Sequence, residues 1–145
     1  MFVSEISITD LQKIFEACMV PEGFCARLAA ERATAEQLDQ IEEVIHQLDH
    51  VPEGDGETLM LIDERFHELL YQAADNEFVA DISRRLHTMS FRLWHLVLDR
   101  LGDVRGALEQ HIEIAAALKG RDLVGAETLV RKHFSGFQQE IKAVV

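Results

Sequence analysis

Asp63 and His67 stand four residues apart, so on a helix they share one turn and one face. The residues that continue that face, Met60, Phe66, Leu70 and Ala74, are apolar. Two groups able to bind a divalent cation thus occupy a stripe otherwise suited to a hydrophobic core. The same interruption recurs twice further along. His111 sits in the stripe Leu108, Ile112, Ala115 and Leu118, and His133 in the stripe Ala126, Leu129, Val130, Phe137 and Ile141.

A buried polar side chain without a partner costs on the order of a few kcal/mol, so three inward histidines and an aspartate need an explanation. Taken singly, each histidine reads as a core residue satisfied by some neighbour. Taken together, the four read as one site for a divalent cation, since imidazole and carboxylate are ligand types of zinc, nickel, manganese and iron. Such a donor set leaves one or two positions open to water or a ligand oxygen if the ion is five- or six-coordinate. Spacing sets the faces and not the convergence of the helices, so both readings stand on periodicity alone. The remaining histidines carry less. His46 and His50 flank a loop at the end of a charged helix and read as solvated, whereas His87 and His95, in a later helix, read as surface or packing residues, with His95 placed to line a pocket beside Arg92.

Helices must position these side chains, and the sequence punctuates them clearly. The first runs from Asp10 to Ala30, with Pro21 expected to kink or divide it, because proline removes a hydrogen bond and crowds the preceding turn. Thr34-x-x-Gln37 is a capping-box pattern that opens a second helix ending near His50, before the turn-rich stretch Val51 to Glu57. A third helix spans about Glu57 to Ala74, and a fourth follows Asp75 or Asn76 as N-cap and reaches about Leu98. Leu101-Gly102-Asp103 breaks the pattern. A fifth helix runs from Val104 to Lys119, and a sixth starts from Asp122 and extends toward Val144. Short turns between helices predict an all-α, antiparallel bundle of six to seven helices.

Length and composition bound the function. A chain of 145 residues with 48% apolar residues, two prolines and eight glycines fits a single domain, 1–145, large enough for a substantial core. Fourteen basic residues against 26 acidic ones give a net charge of −12, and no basic patch is gathered on one face. Such a chain repels a phosphate backbone, so no nucleic-acid binding by this chain alone is expected. Met1 to Thr9 lack the features of a signal peptide, and no apolar run approaches the eighteen residues of a membrane span, which predicts a cytoplasmic protein with no membrane partner. Cys18 and Cys25, seven apart in one helix, lie about 10 Å apart and are expected to stay reduced.

The most specific pattern is Asp63-x-x-x-His67, then Asn76, then His111-x-x-Ile114-x-x-Ala117-Leu118-x-x-Arg121-Asp122-x-x-x-Ala126, and finally His133. With these residues the chain resembles, over nearly its whole length, the FCD effector-binding domain of GntR-type bacterial transcription regulators, in its metal-binding branch. The resemblance implies that Asp63, His67, His111 and His133 ligate the metal, with zinc first among the candidate ions. It implies a small organic acid as effector, held above the metal by an arginine, for which Arg92 stands at a matching place and His95 beside it. It implies a homodimer. Residues 1–8, including Phe2 to Ser7, look like the remnant of a linker that follows a winged helix-turn-helix, the expectation being that this DNA-binding half is absent. One departure is notable: the family usually carries an arginine shortly before a glutamate in the first helix, and here that effector-facing position is Cys18, ahead of Glu22. A neutral thiol cannot replace a charged fork.

Three functions follow as expectations. Allosteric sensing of metal and effector, altering the placement of attached DNA-binding domains, leads. A metalloenzyme is the rival, since an ion with open positions can activate water, but it needs a general base, and Glu64 and Glu113 point off the ligand face by helical geometry. A helical interaction module without metal is the third.

Overall fold

The computed structural model describes residues 8–97 and 104–144. The junction Phe2 to Ser7, the break at Leu101 to Asp103 and the side chain of Ile141 lie outside the described residues. Among the described residues the fold is all-α. Helix α1 spans Ile8–Arg32, α2 Ala35–His46 with a 3-10 turn over Gln47–His50, α3 Gly56–Ala74, α4 Glu77–Val97, α5 Val104–Lys119 and α6 Leu123–Val144. Helix α1 packs against α6, α4 and α3 and acts as the spine, while α5 lies on α6 and α2.

Most boundaries have a local cause. Thr34 closes a capping box with Gln37, its hydroxyl accepting from the Gln37 amide while the Gln37 side chain accepts from the Thr34 amide. Asn76 accepts from the amides of Phe78 and Val79 at the start of α4, and Asp122 from the amide of Gly125 at the start of α6. At the end of α3 the chain turns through Asp75 in the left-handed region, φ 50°. The Arg32 guanidinium donates to the Ala74 and Asp75 carbonyls there, so a side chain from α1 serves acceptors left over by the helix end.

Two expectations are corrected. Pro21 does not divide the first helix, for α1 is continuous across it. An interior proline costs about 3 kcal/mol, and burial against three other helices outweighs that local penalty. Ile112, assigned to the inner stripe of the fifth helix, is 49% exposed, and Ile114 takes the buried place instead. The stripe of α5 is therefore Ala107, Leu108, His111, Ile114 and Leu118, rotated slightly from the one read in the sequence.

One main cluster of apolar side chains fills the bundle, including Phe15, Cys18, Ile41, Met60, Phe66, Leu70, Leu108, Ile114 and Val130. A smaller cluster of Cys25, Leu28, Tyr71, Ala74 and Ala80 lies at the α1–α3–α4 junction. Between the two sits a group of buried polar residues.

Candidate metal centre

Helix α3 delivers Asp63 and His67 from adjacent turns, α5 delivers His111 and α6 delivers His133. All four are buried. One ligand atom from each lies within 4.8 Å of every other. His67 Nε2 and His111 Nε2 are each 3.3 Å from Asp63 Oδ1, and His111 Nε2 is 3.2 Å from His133 Nε2. Ligands bound tetrahedrally at roughly 2.0–2.1 Å from a cation are separated from one another by about 3.3–3.4 Å. The donor atoms thus stand close to the spacing of a single coordination shell, and this buried group of Asp and His residues could bind a metal.

The hydrogen-bond count supports that fit. His133 Nδ1 lies 2.9 Å from Gln110 Oε1, an acceptor, so Nδ1 carries the hydrogen and the Nε2 lone pair faces the cluster. His67 Nδ1 lies 3.5 Å from Glu22 Oε2, an ion-pair contact rather than a hydrogen bond, which faces that side of the ring with a carboxylate and leaves Nε2 toward the cluster. The Nε2 atoms of His67, His111 and His133 and the Oδ1 atom of Asp63 thus gather at one point, and Asp63 Oδ1 has no hydrogen-bond partner among the described residues. A divalent cation would satisfy such a constellation.

Protons can do part of the same work. Burial acts to lower the pKa of His67, but the facing carboxylates Asp63 and Glu22 outweigh it and raise it to about 10. Burial likewise acts to raise the pKa of Asp63, yet the charge and hydrogen bond of His67, with His87 and His111, hold it well below the usual carboxylate value. His111 and His133 go the other way. Burial, followed by the neighbouring imidazoles, lowers His111 well below 6.5 and His133 to about 3. The metal-free cluster therefore concentrates its positive charge on His67 and keeps the other two rings neutral and ready to ligate.

Besides Gln110, two members of the site were not identified from spacing. His87, read as a surface or packing residue, is buried with Nε2 3.3 Å from Asp63 Oδ2, and so holds the carboxylate oxygen that does not face the cluster. Glu22 is fully buried in α1; besides facing His67 it accepts a hydrogen bond from the Tyr71 hydroxyl, whose pKa burial and then Glu22 push well above 10. Phe66 stacks on His111 at 4.3 Å and fixes that ring by packing.

The residues carried over for an effector are placed differently. Arg92 and His95 lie exposed on α4 and do not line the cavity beside the cluster, while Cys18 is buried in the main apolar cluster. Cys18 and Cys25 are both free thiols. Glu64 and Glu113 are exposed, off the ligand face.

Comparison with known proteins agrees with this architecture. The chain is 26% identical over 144 residues to the HTH-type transcriptional repressor RspR of Escherichia coli K12, covering 99% of this chain, and equally to the HTH-type transcriptional regulator YdfH of Shigella flexneri. It spans 63% of the length of these relatives. The solved structure of E. coli McbR/YncC superposes with a TM-score of 0.86 at 19% identity, covering 96% of this chain and 67% of that one, which shows a shared fold. The FCD domain family matches residues 13–136, and the chain belongs to that family of effector-binding domains from GntR-type regulators.

Proposed function

We propose that this domain is the metal-dependent small-molecule sensor of a transcription regulator, with Asp63, His67, His111 and His133 holding a divalent cation, zinc first and nickel, manganese or iron as alternatives. The observation that carries the reading is the convergence of four donor atoms from three helices at coordination-shell spacing, with an outer ring of Glu22, His87 and Gln110 orienting them. Open positions on the cation would take an oxygen of a small organic acid. An effector bound there touches α4 and α6 at once, through the residues that wall the adjacent cavity. Differential binding to two packings of these helices is what would transmit the signal to a DNA-binding partner domain.

Homodimerisation belongs to the same proposal. Phe78, Ile82, Met89 and Leu96 are exposed along α4 at intervals of four, seven and seven residues, which places them on one face of the helix. An outward apolar stripe of that length suits a second copy of the helix. DNA contact is assigned to other parts of such a regulator, in keeping with the acidic charge of this chain. Glu64 and Glu113, the two bases weighed from the sequence, are exposed and off the ligand face, so neither serves a catalytic step at the cluster.

The decisive experiment measures metal content of the purified chain and of His111→Ala, with thermal melts in the presence and absence of chelator. Stoichiometric metal in the wild type only, together with melting that is chelator-sensitive in the wild type only, is the expected result. A wild-type chain that takes up no metal from zinc, nickel, manganese or iron solutions would overturn the proposal.

A further inference from the structure

The four donors of the cluster are between 0% and 3% exposed, so an ion reaches them only if a wall moves. Two voids approach them, one from each side of His133. The inner one, about 20 Å³, has room for about one water and is lined at its polar end by Asp63, His67 and His133. The outer one is a groove of about 290 Å³ between α5 and α6, walled by Glu109, Gln110 and Glu113 on one side and by Leu129 and Lys132 on the other. His133 lines both, so its imidazole is the partition between groove and cluster. Among the described residues its Nδ1–H is fastened by one hydrogen bond, to Gln110 Oε1 at 2.9 Å, and Gln110 is itself exposed. His111, by contrast, is stacked against Phe66 and lines neither void.

We infer that the cation enters and leaves the cluster through the α5–α6 groove, with the His133 ring as a hinged door and Gln110 as its latch. This rests on the metal-binding reading above. Breaking the Gln110 bond frees the ring to turn toward the groove, which joins the two voids and presents one imidazole to an incoming ion ahead of the buried donors. Rotation of a side chain suffices, and no helix has to leave its neighbours. The rival route runs past Phe91, the half-buried wall of the inner void on α4, whose ring is set edge-on to exposed His95 at 4.9 Å. An ion crossing there would shed its water against phenyl rings, which is costly, whereas the groove offers amide, imidazole and carboxylate groups to replace that water in stages. Charge favours the groove as well. Glu109 and Glu113, both exposed and four apart on α5, share one side of its mouth and set two negative groups against the one cation of its lining, Lys132.

Zinc loading of the metal-free chain would be followed by rapid mixing with a fluorescent zinc indicator, release by mixing the loaded chain with excess chelator, and affinity by competition titration. Gln110→Ala is expected to speed loading by about fivefold, the net worth of one hydrogen bond, and release by at least as much. A residue that only oriented His133 would speed release and leave loading unchanged. Glu109→Gln with Glu113→Gln should slow loading at low ionic strength relative to Asp39→Asn with Glu43→Gln, which removes the same charge from exposed positions on α2, and the difference should vanish in high salt. Glu113→Cys, labelled with a bulky maleimide on the folded chain, plugs the groove and should slow loading and release severalfold with affinity unchanged, Cys18 and Cys25 being buried. Should Gln110→Ala fail to fold, this adduct carries the test. Loading at the wild-type rate in a folded Gln110→Ala or in the adduct, or faster loading in Phe91→Ala than in Gln110→Ala, would overturn the inference while leaving the metal site intact. A wild-type chain that takes up neither zinc nor nickel, manganese or iron would instead overturn the metal-binding reading itself.

Discussion

Replacing Glu22 by glutamine separates a role in orienting the metal site from a role in holding the fold. Glu22 is fully buried, accepts from Tyr71 and faces His67 Nδ1 at 3.5 Å. Glutamine keeps the shape and removes the charge. Without metal, two buried carboxylates, Glu22 and Asp63, face the single imidazolium of His67, and an excess buried charge is destabilising. The metal-free variant should therefore melt at or above the wild-type temperature. With metal, His67 loses the partner that raises its basicity and fixes its ring, which typically lowers metal affinity by about 10–100-fold, or about 1.4–2.7 kcal/mol. In a domain of this size each kcal/mol moves Tm by about 2–4 °C, so the metal-induced rise in Tm should shrink by about 3–10 °C. The assay is a competition titration against a chelator for affinity, with calorimetric melts in saturating metal and in chelator. Opposite signs in the two states are the signature. An affinity within twofold of wild type would refute the orienting role, and a variant whose metal-free form melts markedly lower would show that Glu22 acts as a structural strut.

Two further outcomes follow. The chelated protein should be most stable near pH 6.5. As pH falls from 6.5 toward 3, the depressed His111 and His133 oppose protonation in the folded state while the unfolded chain takes up protons, and stability is lost; as pH rises from 6.5 through about 10, the proton that His67 holds more tightly when folded is released, and stability is lost again. A pH series of melts in chelator tests this, and a monotonic rise in stability from pH 6.5 to 10 would refute it. Burial raises the Cys18 thiol to about 12 and the Cys25 thiol to about 11, each with a smaller push from Glu22. Both should resist alkylation at pH 8 in the native state and react fully in denaturant, measured by mass spectrometry; rapid labelling of the folded chain would contradict the packing described.

The four residues of the buried cluster were legible as inward polar positions because each breaks an apolar helical stripe at a fixed spacing, and the capping residues Thr34, Asn76 and Asp122 made the helix starts legible for the same local reason. Glu22 and His87 were not. In α4 the large apolar residues Phe78, Ile82, Met89 and Leu96 face outward, so periodicity alone points to the wrong side. The inward face, Ala80, Ser83, His87, Ser90 and Trp94, is small and polar until its last member and looks like a solvated surface. Its spacing of three and four was the signal available. Glu22 follows Pro21, where a break was expected, and a charged residue beside a break does not read as core. Both residues became visible only when the helices were brought together, since the reason for each is a partner on another helix.

The four donors also differ in how far apart they lie along the chain. His67 and His111 are separated by 44 residues, and His111 and His133 by a further 22. A cation joining them would close two consecutive stretches of chain, one spanning α4 and one running from α5 into α6, in the manner of a removable cross-link. Closing long loops in this way weighs chiefly on the unfolded ensemble and on the rate of leaving the native state. A sensor built so would be long-lived while loaded and, when the metal is withdrawn, exposed to cellular proteases through α5 and α6, making its abundance as well as its conformation answer to metal supply.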